Sequence, residues 1–332
     1  MPFTVRAFAK INLGLSIGSL RPDGFHDLRT VYQTIALHDL VRVHVVRGSG
    51  VEIRCADARV PCDQSNTCYR MAERTMAALN AKGRVVVEIE KRVPVQGGLG
   101  AASANAVATL LGLQRGLNKR LSRSERLRIA AEVGSDLPLF LVGGTILGVG
   151  RGEEVYPLPD LPETHCLIAT PEIGVSTAQA FAEWDRISVE GSAPELTRSS
   201  PSARITRLGR VVTAWLSGAP GGEPPRRTVS GVPASGRGRA EILLLDLVRT
   251  GIENDFERVV FPQHPELREV KRVLSGAGAY YASLSGSGSA VFGLFPSRAL
   301  ASRAAARLAR LGIPSRATKT LSRRGYWRKI FD

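Results

Sequence analysis

Gly97, Gly98 and Gly100 punctuate the stretch Pro94-Val-Gln-Gly-Gly-Leu-Gly-Ala-Ala-Ser-Ala-Asn105, between an alternating β-like run at 85–89 and an apolar helical run at 101–113. Glycine lets backbone N–H groups approach a ligand with no Cβ in the way. A helix start adds unpaired N–H groups and the positive end of the helix dipole. Strand, glycine loop and helix start together make a cradle for phosphate. The plainer reading is a tight turn that packs a helix closely on a sheet. No Lys follows the glycines, so a Walker A loop is excluded, and Gly98-Leu-Gly100-Ala-Ala-Ser103 lacks the third glycine of a dinucleotide fingerprint. A phosphate loop that is neither of these points to a different nucleotide-binding fold.

Lys10 and Asn12, in Ala7-Phe-Ala-Lys-Ile-Asn-Leu-Gly-Leu15, fall on one face of an apolar strand because side chains alternate with period two. A cation and an amide projecting together from a half-buried strand need a partner. An isolated lysine at a strand edge would instead reach out to water. Asp136, in Val133-Gly-Ser-Asp-Leu-Pro-Leu-Phe140, stands between a helix ending at Gly134 and an apolar run expected to be a strand. It reads either as a turn or capping aspartate or as a general base held at the end of an element. Ser283-Leu-Ser-Gly-Ser-Gly-Ser-Ala-Val-Phe292 sets Gly286 and Gly288 between two β-like runs, at its simplest a hairpin turn.

The elements that must position these residues follow from periodicity and punctuation. Strands are expected over 3–8, 11–17, 40–46 and 84–90, and helices over 66–81, 101–115 and 122–133. Ser122-Arg-Ser-Glu125 is a capping box for the last of these. A second lobe begins near the strand 165–170. It holds helices near 176–185, 204–216, 241–249, 264–275 and 297–311, with strands near 280–285, 289–295 and 314–320. The stretch 217–239, rich in Gly, Pro, Ser and Arg, reads as an exposed or disordered insertion.

With 332 residues, 43% of them hydrophobic, the chain is long enough for two lobes and a large core. No run approaches the about 20 apolar residues of a membrane span. The sequence opens directly on a strand with no signal-peptide pattern, which favours the cytoplasm. Cys55, Cys62, Cys68 and Cys166 form no Cys-x-x-Cys pair and read as free thiols, and the five histidines show no metal-ligand spacing. The net charge of +15 is uneven: 197–240 holds eight Arg against one acid, and 298–332 holds ten Lys or Arg against one acid. The motifs therefore lie in a near-neutral body. A basic field attracts polyphosphates, but few aromatics interleave with these charges, which disfavours a nucleic-acid surface.

Together the three motifs Ala9-Lys-Ile-Asn-Leu13, Pro94-Val-Gln-Gly-Gly-Leu-Gly100 and Ser285-Gly-Ser-Gly288 resemble, in kind and order, the GHMP kinase superfamily of small-molecule ATP-dependent kinases. The resemblance spans 7–292. It implies an α+β, two-lobed GHMP kinase fold, with a ribosomal-protein-like N-terminal lobe over 1–162 and a C-terminal lobe over 163–332. Asp136 would be the base for the substrate hydroxyl, with Lys10 beside it. Pro94, Gly97, Gly98, Leu99, Gly100, Ala101, Ala102 and Ser103 would hold ATP, with Mg²⁺ bridging its phosphates and no cluster of protein metal ligands. Asn66 matches the adenine-side position, and equally the N-cap of the helix it precedes.

Arg21-Pro-Asp-Gly-Phe-His-Asp-Leu-Arg-Thr30 and Asn254-Asp-Phe-Glu257 resemble a narrower group. Its members phosphorylate the 2-hydroxyl of a cytidine diphosphate-linked methylerythritol in the non-mevalonate isoprenoid pathway. Phe25 would offer a ring face to cytosine, and His26 its ring nitrogens and backbone. Thr177 and Phe181 match the segment that supplies a second aromatic, although ordinary core packing explains Phe181 as well. Asn12, Gly286 and Gly288 would complete the substrate side. Ala101 and Ala102 replace the more usual glycine or serine, Gln96 replaces glycine or alanine, and Phe25 replaces tyrosine. The alternatives are a mevalonate- or homoserine-type kinase, or a basic RNA-associated protein.

Overall fold

The computed structural model describes residues 2–95, 97–189 and 253–331. The expected insertion at 217–239 and the helices expected near 204–216 and 241–249 lie outside the described residues. The first two expected strands are one, β1 (Phe3–Leu20), which runs antiparallel to the slightly longer β2 (His26–Val46). Bulges between Phe8 and Lys10 and between Asn12 and Gly14 let one strand serve several packing partners. Phe8 joins the first core, Ala9, Ile11 and Leu13 join a layer between the sheets, and Leu15 and Ile17 join the second core. Lys10 and Asn12 point the other way, so the alternation expected from sequence holds where the chemistry needs it.

β2 is the hub of the first sheet. β4 (Arg84–Glu90) pairs with its second half, and β5 (Thr145–Val149) with residues near its start. β3 (Val51–Cys55) lies parallel to β4, and β6 (Glu154–Pro157) closes the other edge. One face is covered by α1 (Thr67–Ala78), α2 (Ala101–Gly116) and α3 (Arg123–Val133). From Ala104 to Gln114 every residue of α2 is buried, which its small side chains permit. A Cβ on Gly112 would sit 3.0 Å from Val43, so the helix lies almost on the sheet. The Ser122 hydroxyl accepts Glu125 N at 3.1 Å, as the capping box requires.

Leu137–Phe140, expected as a strand, is a single helical turn, α4. Pro138 explains the difference: it has no N–H for a sheet ladder but suits the first turn of a helix. A second sheet, ordered β10-β7-β9-β8, contains β7 (His165–Ala169), β8 (Tyr281–Leu284), β9 (Val291–Phe295) and β10 (Ser315–Lys319). α5 (Thr177–Val189), α6 (Glu257–Gln263), α7 (Pro265–Gly276) and α8 (Arg298–Arg310) pack against it. α9 (Arg323–Lys329) then returns to the first core. There the Tyr326 hydroxyl donates to Phe140 O at 2.7 Å, and Trp327 Nε1 to Val142 O at 2.9 Å. Among the described residues no helix is long and apolar enough to cross a membrane.

Candidate active site

The glycine loop is held from behind by one carboxylate. Asp39, in the middle of β2 and 0% exposed, accepts Arg92 N and Val93 N at 2.7 Å each and Asn105 Nδ2 at 3.0 Å, and pairs with Lys91 Nζ. It thereby ties the exit of β4 to the first turns of α2, the two ends of the loop. Within the loop Gly98 and Gly100 have φ of +73° and +68°. A Cβ on Gly98 would stand 2.0 Å from Ser285 O. Only glycine serves there. α2 begins on Gly100 with no side-chain cap bond, which leaves its first N–H groups without a capping side chain.

Two cavities meet at this loop, each of about 350 Å³. The first is lined by Asn66, Pro94 and the run from Gly97 to Ser103, so every residue expected on the nucleotide side reaches it. Asn66 also caps α1, accepting Cys68 N at 2.8 Å and donating to Pro61 O at 2.6 Å. The second cavity is lined by Lys10, Asn12, Phe25, His26, Asp136, Thr177, Phe181 and Gly286. Gly98, Gly100 and Ser103 border both, and so form the wall between them.

On the floor of the second cavity Lys10 Nζ donates to Asn12 Oδ1 at 2.7 Å and lies 3.4 Å from Asp136 Oδ2. Asn12 Nδ2 donates to Thr30 Oγ1 at 2.7 Å, which donates to Gly14 O at 2.8 Å. This relay fixes the amide so that its oxygen faces the ammonium. Asp136 occupies an N-cap position but makes no capping bond. Its other oxygen, Oδ1, accepts the Tyr32 hydroxyl at 3.0 Å. Burial first, and then the neighbouring Asp136 charge, raise the Tyr32 phenol well above its ordinary pKa, so it remains a donor. Tyr32 was not among the expected residues. Its signal was the register of the β1–β2 hairpin, which sets it opposite Asn12.

At the mouth, the turn before β2 presents Phe25 half exposed, with the Arg151 guanidinium 5.0 Å from its ring centre. His26 is buried, and its ring nitrogens are engaged: Nδ1 lies 3.2 Å from Gly18 O and Nε2 3.0 Å from Asp185 Oδ1. Its ring stacks on Phe181 at 5.3 Å with an interplanar angle of 6°, and Phe181 meets Phe256 edge-on at 4.9 Å. His26 and Phe181 thus form a packed wall in which both ring nitrogens of His26 have protein partners. Thr177 Oγ1 bonds to Ser287 Oγ at 2.7 Å across the opening. Arg151, Asp185 and Ser287 reach the region from a turn, a helix and a loop far apart in sequence, which is why local patterns do not reveal them.

Gly288 does not line the second cavity. A Cβ there would lie 2.3 Å from Gly98 N and 2.5 Å from Gly97 C, so its role is to let the two glycine loops touch. Gly288→Ala should therefore lower stability by about 1–3 kcal/mol, as overpacking does, and weaken nucleotide binding too. Urea unfolding with a nucleotide titration checks this. Wild-type values for both would show that the loops can separate freely.

Residues 66–144 match the family model described as GHMP kinases N terminal domain, and 240–313 the one described as GHMP kinases C terminal. The chain is 37% identical over 294 residues to the 4-diphosphocytidyl-2-C-methyl-D-erythritol kinase of Solibacter usitatus, covering 89% of this chain and 81% of the relative. It is 35% identical to the enzyme of the same name from Acaryochloris marina, over 92% and 91% of the two chains. A crystal structure of 4-(cytidine 5'-diphospho)-2C-methyl-D-erythritol kinase superposes with a TM-score of 0.68 at 29% identity, covering 96% of this chain and 98% of that one. Homoserine kinase from Cytophaga hutchinsonii shares the fold at 19% identity, with a TM-score of 0.65 and coverage of 96% and 95%.

Proposed function

The chain belongs to the GHMP kinase family, in the branch of its 4-diphosphocytidyl-2-C-methyl-D-erythritol kinases, and we propose on that premise how its residues carry the reaction. It transfers a phosphoryl group from ATP to the 2-hydroxyl of 4-diphosphocytidyl-2-C-methyl-D-erythritol, a step of isoprenoid precursor synthesis. The observation that carries the residue roles is the Lys10–Asp136 pair facing a cavity whose wall is the phosphate loop of the next cavity.

ATP occupies the cavity lined by Asn66 and the glycine loop, its phosphates against Gly98, Gly100 and the start of α2. The acceptor enters the second cavity. Asp136 takes the proton of its hydroxyl, and the Lys10 ammonium favours the alkoxide that develops. Tyr32 holds the second oxygen of Asp136, which aims the first. Phosphoryl transfer demands mainly positioning and charge neutralisation, so a carboxylate placed beside a cation is an adequate base. Mg²⁺ usually keeps several waters and takes only one or two protein oxygens beside substrate phosphates. The Ser103 hydroxyl on the shared wall suits that demand and would hold it. Bound there, Mg²⁺ would neutralise charge on the phosphate oxygens.

The half-exposed face of Phe25 is the platform for cytosine. Stacking on one base is worth roughly 1–3 kcal/mol, so Phe25→Ala should raise KM for the cytidine substrate about 5- to 150-fold and spare ATP. Equal damage to both would remove Phe25 from the acceptor side. Comparing ADP release for the cytidine-linked alcohol with mevalonate and homoserine tests the reading as a whole. Turnover on either competitor matching that on the cytidine substrate would overturn it.

A further inference from the structure

Asn254-Asp-Phe-Glu257 is a motif whose polar side chains line neither cavity. Asn254 and Asp255 are nonetheless 1% and 2% exposed. Asn254 Nδ2 donates twice, to Leu284 O at 3.0 Å and Gly286 O at 2.8 Å, while its Oδ1 accepts Phe256 N at 3.1 Å. Glu257 Oε1 accepts Ser283 Oγ at 2.7 Å and Leu284 N at 2.9 Å, and its other oxygen accepts Lys271 Nζ at 2.6 Å. Four bonds thus hold the strand end and glycine loop from Ser283 to Gly286.

The same segment also grips β1. Leu15 N donates to Glu253 O, Asp255 N to Leu15 O, and Ile17 N to Asp255 Oδ2, each at 2.9 Å. This contact begins just past the bulge that follows Asn12. From the position a Cβ would take on Gly286, Asn12 Oδ1 is 3.3 Å and Lys10 Nζ 3.5 Å away. One short segment therefore sets the gap between the strand that carries Lys10 and Asn12 and the loop opposite them.

We propose that Asn254 is a positioning residue for the acceptor: by clamping the Gly286 carbonyl to a segment fastened on β1, it fixes the space beside Lys10 in which the hydroxyl must sit. The proposal rests on the kinase reading above. The nucleotide side depends on it less, because Ser285 Oγ bonds Gly98 O at 3.0 Å and Ala290 N bonds Gly97 O at 3.2 Å, which anchors the other arm of the loop independently.

The test compares Asn254→Ala and Ser283→Ala with the wild type by steady-state kinetics in both substrates, nucleotide titration, and hydrogen exchange of the 285–289 amides. Small misplacements of reacting groups cost up to about 100-fold. Asn254→Ala should lose about 10- to 100-fold in kcat/KM for the acceptor and keep nucleotide affinity within about twofold, with faster exchange confined to the loop. Ser283→Ala, the milder change should Asn254→Ala fail to fold, should lose activity in the same substrate only. Unchanged acceptor kcat/KM and unchanged exchange in a folded variant would overturn the proposal, as would equal losses for both substrates. A wild type that ignores the cytidine substrate would instead sink the functional reading. The exchange comparison would still decide whether Asn254 clamps the loop.

Discussion

Asp136→Asn should bind nucleotide with near wild-type affinity and lose turnover by about 10²–10⁴-fold, the usual contribution of a general base. The substitution keeps the size of the side chain and an oxygen for the Tyr32 hydroxyl. It removes the carboxylate oxygen 3.4 Å from Lys10 Nζ, the one carboxylate that ammonium pairs with among the described residues. An amide cannot take the hydroxyl proton. The nucleotide cavity does not include Asp136, so a titration with ATP should show little change. Stopped-flow and steady-state assays of ADP release measure the loss. A variant retaining more than about a third of wild-type kcat would strip Asp136 of the role. Tyr32→Phe provides a graded comparison, because it leaves the carboxylate and removes only the bond that aims it.

Asp39→Ala should cost about 3–5 kcal/mol of stability, since breaking a buried ion pair strands the remaining charge. Lys91, with its side chain 9% exposed, would be left without the carboxylate it pairs with. The N–H groups of Arg92 and Val93 would lose their acceptor at the same time. A fall in the urea midpoint with an unchanged slope reports the stability loss. Nucleotide affinity should fall as well, because both ends of the glycine loop hang from this one side chain. A loss below about 1 kcal/mol would mean that water replaces the carboxylate, and that the loop stands without it.

The contrast between Asp136 and Asp39 shows what was legible in the sequence. Lys10, Asn12, the two glycine loops and Asp136 lie in short stretches whose residue types already state their chemistry, and the structure brings them to adjoining cavities. Asp39 sits in the plain strand sequence Ala36-Leu-His-Asp-Leu40, and its partners lie more than fifty residues away. Nothing local marks it. The first half of β2 escaped for a related reason. Thr30, Gln33 and Thr34 are buried there, so the pattern of apolar residues that announces a strand is broken by polar groups with internal partners. Leu137–Phe140 shows the limit of periodicity: four apolar residues suit a strand or a helical turn, and only the proline decides. The partners of the His26 ring nitrogens, Gly18 O and Asp185, were not legible because only the folded chain supplies them.

The return of α9 to the first core has a consequence for synthesis on the ribosome. Leu321, Tyr326 and Ile330 fill a core otherwise built almost wholly from residues before 150, with Phe8 and Tyr326 in ring contact at 5.3 Å. At about 5–20 residues per second of translation, the apolar surface around Phe8 and Phe140 waits on the order of ten seconds or more, uncovered, between the emergence of its own strands and that of its last helix. Until then the nascent N-terminal half exposes apolar surface of the kind that chaperones cover. A chain interrupted before Tyr326 carries every residue assigned to the chemistry, yet lacks the helix that covers this apolar face.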